Sequence, residues 1–184
     1  MKYLLEGQET DRLRFRKINL SDFDDWLEFH KDPLTRVHWK MDYDSPGEEC
    51  RKWYEKQQFR YENGLGGMNA LIEKETGKLV GHCGLLVQPV DGLRELEIGY
   101  SLLREFWNRG LATEAAIKCK DFAFENLLAE SLISIISLTN TPSQRVALKN
   151  GMRMEKTTVY KDNPVRIFRV HLSEWDGHQK DRQR

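Results

Sequence analysis

Apolar positions recur along the chain with two periods, and the switches between them mark out the elements. In residues 11–18, Leu13, Phe15 and Ile18 are set among arginines, which predicts a first strand. Phe23, Trp26, Leu27 and His30 then fall at three- and four-residue steps, predicting a helix that Asp32-Pro33 ends. A second helix opens at Ser45 as N-cap, with Pro46 in its first turn and Glu48 as capping-box acid, and runs through Trp53 to Phe59. The glycine-rich stretch 64–67 breaks that pattern. Residues 68–73 and 79–87 read as two strands joined by a turn at 75–78, and 93–103 as a further strand. Residues 111–128 give the clearest helix. Ala112, Ala115, Ala116, Cys119, Phe122 and Ala123 form its apolar stripe, with Glu114, Lys118 and Asp121 elsewhere. The isoleucine-rich run 132–138 reads as a buried strand, and 142–150 as a short helix stopped by Gly151. Residues 154–160 and 165–172 predict a final hairpin around Asp162-Asn163-Pro164. The order is mixed α/β.

Composition bounds what such a chain does. Its 184 residues suffice for one domain, expected over 1–175, with 176–184 as a charged, frayed tail. At 39 % hydrophobic and 32 % charged it is too apolar for a disordered chain. Lys plus Arg and Asp plus Glu both total 29, so no global charge favours nucleic acid or an anionic membrane, and neither is an expected partner. No apolar run is long enough to span a bilayer. Cys50, Cys83 and Cys119 are scattered and odd in number, which argues against a disulfide framework and for a reducing, cytoplasmic setting. Cys83 and Cys119 read as small core residues, and His82 and His171 lack the spacing of a metal site, so no metal is expected. Monomer and homodimer both remain open.

The stretch Trp107-Asn108-Arg109-Gly110-Leu111-Ala112-Thr113 lies between a strand and the best helix. A helix start presents unpaired amides and the positive end of the macrodipole, which together hold an anion. Gly110 permits close backbone approach, Ala112 keeps the first turn uncrowded, and Arg104 and Arg109 add positive charge. A diphosphate suits such a place. The glycine spacing matches neither a Walker loop nor a dinucleotide fingerprint.

The whole stretch resembles the GNAT superfamily of N-acetyltransferases, in which Gln/Arg-x-x-Gly-x-Gly/Ala after the fourth strand cradles the pyrophosphate of coenzyme A. Trp107 stands at the first position here, Gly110 at the fourth and Ala112 at the sixth. Tryptophan there, with Glu97-Ile98-Gly99-Tyr100 upstream, is similar to the branch (RimJ/RimL-like) that acetylates N-termini of ribosomal proteins. Thr10-Asp11-Arg12-Leu13, Asn140-Thr141-Pro142-Ser143-Gln144-Arg145-Val146 and Lys149-Asn150-Gly151-Met152 extend the likeness over residues 10–172. The resemblance implies a strongly twisted, mixed but mostly antiparallel sheet flanked by about four helices. Its fourth and fifth strands, near Glu97 and Ile135, would splay to admit acetyl-CoA as cosubstrate. Implied cofactor contacts are Ile98, Gly99 and Tyr100 on the strand, and Arg104 beyond it. Asn108, Arg109, Gly110, Leu111, Ala112 and Thr113 follow in the loop and helix start, then Asn140 and Ser143.

Acetyl transfer to an amine needs a neutral amine, a polarised thioester and a proton for the departing thiolate. Glu97 is the preferred general base, directly or through water. In a regular strand it shares a face with Gly99 and Ser101, opposite Leu96, Ile98 and Tyr100, and apolar surroundings would raise its pKa. Many superfamily members use a tyrosine four residues before the glycine matching Gly151 as the acid. Ala147 stands there, so Ser143, which matches a serine of the ribosomal-protein branch, is the expected substitute, unless it only caps its helix; Tyr100 is a further candidate acid, although strand alternation points it to the core. A backbone amide near Ile98, Gly99 and Tyr100 is the expected oxyanion donor. His38, Trp39 and Tyr43 lie where related enzymes build the acceptor pocket. Arg145, Lys149 and Arg153 read as a solvated face. The ribosomal-protein branch implies a protein or peptide N-terminal acceptor, and an α-amine of pKa about 7.7–8.0, roughly a tenth neutral at pH 7 against about 0.04 % for lysine, suits a single weak carboxylate base better. Small amines are the alternative acceptors, and a non-catalytic module binding coenzyme A or a partner protein is the rival reading.

Overall fold

β1 (Leu13–Lys17), β2 (Gly66–Glu73), β3 (Leu79–Val90), β4 (Leu93–Leu102), β5 (Ser131–Ser137), β6 (Arg153–Tyr160) and β7 (Asn163–His171) form one sheet in the order β1-β2-β3-β4-β5-β7-β6. The computed structural model describes residues 2–39 and 44–176. Every neighbouring pair is antiparallel except β4 and β5. Four helices, α1 (Phe23–Lys31), α2 (Pro46–Glu62), α3 (Leu111–Glu125) and α4 (Thr141–Lys149), complete the frame. α1 packs on α2 and α2 on β2, while α3 packs on β3, β4 and α4. No helix of the described residues is long and apolar enough to cross a membrane.

The alanine stripe explains how closely α3 lies on the sheet. Ala115, Ala116, Cys119 and Ala123 are buried against Leu96, Ile98 and Leu102 of β4 in the main core. Each leucine or isoleucine so buried contributes about 1.5–3 kcal/mol. A smaller cluster of Val90, Ile133, Ile135, Val165 and Ile167 carries Trp39 and Tyr160 packed on it.

The parallel pair is where the sheet opens. β4 meets β5 at a single ladder position, Glu97 opposite Ile133, whereas β5 and β7 pair over seven. Immediately beyond, the Ser134 hydroxyl, 2.9 Å away, donates to the Ile98 carbonyl. From Ile98 onward β4 has no β5 ladder partner, and a crevice begins between the two strands.

Three local expectations need correction. The last hairpin turns at Lys161 and Asp162, whose φ angles of 48° and 60° define a tight two-residue loop, and Asn163 and Pro164 already belong to β7. Pro164 is tolerated because it lies at the start of its strand. α3 ends at Glu125 rather than 128, with Leu127 in the left-handed region (φ 51°). At α2, Ser45 caps the Glu48 amide as expected, but Glu49, rather than Glu48, reaches back to the Asp44 amide, and Glu48 pairs with Arg51.

Candidate active site

Glu97 sits at the mouth of the crevice. Its carboxylate accepts from Gln88 Nε2 at 2.7 Å and from the Ile135 amide across the gap. Burial raises its pKa above the ordinary carboxylate value, and the two hydrogen bonds with the nearby Arg60 and Lys56 charges only partly offset that. Strand alternation places Gly99 and Ser101 on its face, with buried Leu96 and Ile98 on the other.

The start of α3 is built differently from the starts of α2 and α4. Ser45 and Asn140 cap those two helices with side-chain oxygens, whereas Gly110 at the N-cap of α3 offers none. The first-turn amides of Leu111, Ala112 and Thr113 therefore keep their capacity for an anion. Asn108 (φ 60°) and Gly110 (φ 79°) are both left-handed, which bends the loop around this point. A Cβ on Gly110 would meet only Arg12 Nη2 at 3.5 Å, so glycine is required by its backbone angle, not by lack of space. A diphosphate fits this loop on the strength of the uncapped amides. The two arginines are otherwise engaged: Arg109 pairs with the buried Glu73 and stacks over Phe106, and Arg104 lies 3.6 Å from Asp32.

On the opposite face from Glu97, Tyr100 donates its hydroxyl to the Ser143 carbonyl at 2.9 Å, tying β4 to α4. Burial drives the Tyr100 pKa upward. Asn140 Oδ1 takes the Ser143 amide, so Asn140 is the cap and Ser143 is not. The Ser143 hydroxyl has no hydrogen-bond partner among the described residues. Ala147 is buried in the core, where it leaves no acid.

On Glu97's face, His38 Nδ1 lies 3.0 Å from Thr139 Oγ1, and Trp39 covers the β5–β7 cluster. Tyr43 lies outside the described residues. What sequence spacing missed is a cavity of about 450 Å³ lined by Lys56 and Arg60 of α2, Gln88 and Asp91 of the β3–β4 hairpin, and Tyr160 and Lys161 of the last hairpin. Tyr160 donates to Gln88 Oε1 at 3.1 Å, and Gln88 holds Glu97, so the cavity wall and the carboxylate share one chain of hydrogen bonds. These residues come from three distant segments, and the only sequence signal was the cationic pair Lys56 and Arg60 at helical spacing.

Residues 12–153 match the family model for the acetyltransferase (GNAT) domain. An uncharacterised protein of Bacillus subtilis (strain 168), YkkB, is 32 % identical over 163 residues, 86 % of this chain and 92 % of its own length. An acetyltransferase from Agrobacterium tumefaciens str. C58 superposes with a TM-score of 0.75 at 24 % identity, covering 91 % of this chain and 95 % of that one. Mycobacterium smegmatis RimJ, solved in complex with a CoA disulfide, shares the fold with a TM-score of 0.73 at 17 % identity, covering 92 % and 88 %. The chain belongs to the GNAT family of acetyltransferases, with acetyl-CoA as its cosubstrate.

Proposed function

We propose that the chain carries acetyl directly from acetyl-CoA to a primary amine, with Glu97 as general base and an N-terminal α-amine as acceptor. The observation that carries this reading is the Glu97 carboxylate, raised in pKa, at the point where β4 leaves β5 and one hydrogen bond from an open cavity. The amides of Leu111, Ala112 and Thr113 bind the diphosphate of the cosubstrate. A backbone amide within Ile98 to Tyr100, where β4 lacks a β5 partner, polarises the thioester carbonyl. Glu97 takes the proton of the attacking amine, directly or through water, and the Ser143 hydroxyl supplies one to the departing thiolate from the other face. The C–N bond forms as the C–S bond breaks, and no acyl-enzyme is needed. His38 and Trp39 border the acceptor.

Release of free thiol from acetyl-CoA across a panel of N-terminal peptides and small amines tests the reading. Amine-dependent turnover supports it; tight binding of the cosubstrate with no turnover on any amine retires it in favour of a binding module. Glu97→Gln lowers kcat/KM at neutral pH by about 100-fold, within the range for loss of a general base. It also removes the acidic limb of the pH profile, which in the wild type lies above the ordinary glutamate range because burial raises this carboxyl. An unchanged rate and profile would reject Glu97.

A further inference from the structure

The cavity beside Glu97 has a charge pattern that bears on which amines enter. Lys56 from α2 and Lys161 from the last hairpin both line it, close enough for Lys161 to act on Lys56, and Lys161 Nζ lies 5.3 Å over the Tyr160 ring. Neither forms an ion pair with a carboxylate among the described residues. Arg60 lies beneath them, 6 % exposed, its Nη2 fixed at 2.8 Å from the carbonyls of both Leu65 and Val87. Its guanidinium too lacks a carboxylate ion pair among the described residues, and its Nε has no hydrogen-bond partner. The one acid lining the cavity, Asp91, is taken by Lys156 at 2.8 Å and Thr158 at 2.8 Å. Glu97 itself lies behind Gln88 and is held by it. Three cations thus converge on one open volume, where only Glu97, behind Gln88 and without an ion pair to any of them, offsets the charge of Lys56 and Arg60, and buried Arg60 gains most from an entering anion.

We infer that the preferred acceptor is an amine bearing a nearby anionic group, which Lys56 and Lys161 hold over the fixed charge of Arg60 while the amine reaches Glu97. This deepens, and rests on, the acetyltransferase reading. The three cations act as a clamp for the anion and take no part in proton transfer. Lys56 is pulled down to about 8 by crowding protein and then by Lys161 and Arg60, a shift that solvent at its exposed rim tempers, so it stays mostly protonated at neutral pH and an incoming anion favours that form further.

Matched acceptor pairs test the inference: an amino acid against its amide, and an N-terminal peptide with Asp in second place against the same peptide with Asn. The expected result is a kcat/KM higher by about tenfold or more for the anionic member of at least one pair, the scale of a charge-assisted hydrogen bond. The pair that responds distinguishes a small acid from an acidic N-terminus. In the double variant Lys56→Gln, Lys161→Gln that ratio falls to near one, and 0.5 M salt lowers it in the wild type. Turnover with a ratio near one in both pairs, or a ratio that survives the double substitution, overturns the inference and leaves the acetyltransferase reading standing. No turnover on any member retires both.

Discussion

Ser143 illustrates how far a single residue's role follows from its neighbours. A serine in a first helical turn is an ordinary cap, yet here Asn140 does the capping and Tyr100 occupies the Ser143 carbonyl, which leaves the hydroxyl uncommitted. An alcohol is a weak acid, so its contribution to thiolate departure is smaller than that of a tuned acid. We expect Ser143→Ala to lower kcat about tenfold, towards the low end for acid catalysis, with little change in the KM for acetyl-CoA. A kcat within twofold of wild type would withdraw the acid assignment, and a rise in KM alone would make Ser143 a binding residue. At this scale the sequence was informative wherever backbone period decides the outcome: Glu97 faces away from Ile98 because strands alternate. It was silent on Arg109, assigned to the anion loop by proximity. Its partner Glu73 is 36 residues away, and nothing in their spacing announces the pair.

Among the elements, the start of α3 depends on a strand-proximal segment far from it in the chain. Glu114 accepts from Thr10 Oγ1 at 2.5 Å, from the Arg12 amide at 3.0 Å and from Arg12 Nε at 2.7 Å, while Arg12 Nη1 holds the Arg109 carbonyl at 2.9 Å. Burial favours protonation of Glu114, but hydrogen bonds from Thr10 and Arg12 outweigh it and hold the pKa below the ordinary value. Arg12 thus neutralises a carboxylate one turn from the anion loop and fixes the loop's backbone. Arg12→Ala releases that negative charge, and we expect the KM for acetyl-CoA to rise about 5–10-fold with the KM for the amine unchanged. The paired variant Arg12→Ala, Glu114→Gln recovers part of the loss. An Arg12→Ala enzyme with a lowered melting temperature and an unaltered acetyl-CoA KM would reduce the contact to a structural tie. The elements themselves were legible, all seven strands and four helices, since amphipathic period and caps are local signals. The final turn was displaced because Asn163-Pro164 carries strong turn chemistry, yet the positive φ angles fall on Lys161 and Asp162. The cavity was not legible, since it forms only when α2 and two hairpins meet.

Across the whole molecule, α1 and α2 are fastened to the sheet through a buried histidine. His82 of β3 is fully buried, its ring 4.2 Å from Trp26 of α1 and 4.5 Å from Trp53 of α2, and both ring nitrogens lack hydrogen-bond partners. Burial, with Arg16 and His30 nearby, holds its pKa well below 6.5, and burial takes His30 down to about 4. Both imidazoles are therefore neutral in the folded protein at pH 7 and gain protons more readily when it unfolds. Stability is complete above the unfolded-state pKa of about 6.5 and declines as pH falls below it. Between about pH 7.5 and 5.5, one histidine kept neutral on folding costs about 1.4 kcal/mol, or about 3–5 °C in Tm for a chain of this size. His82→Leu removes one titration, so its Tm at pH 7.5 falls through altered packing while its slope against pH becomes shallower than that of the wild type. Thermal unfolding at the two pH values decides the matter: parallel slopes would mean that His82 is not the acid-sensitive fastening. The same fastening positions α2, and with it Lys56 and Arg60 over Glu97.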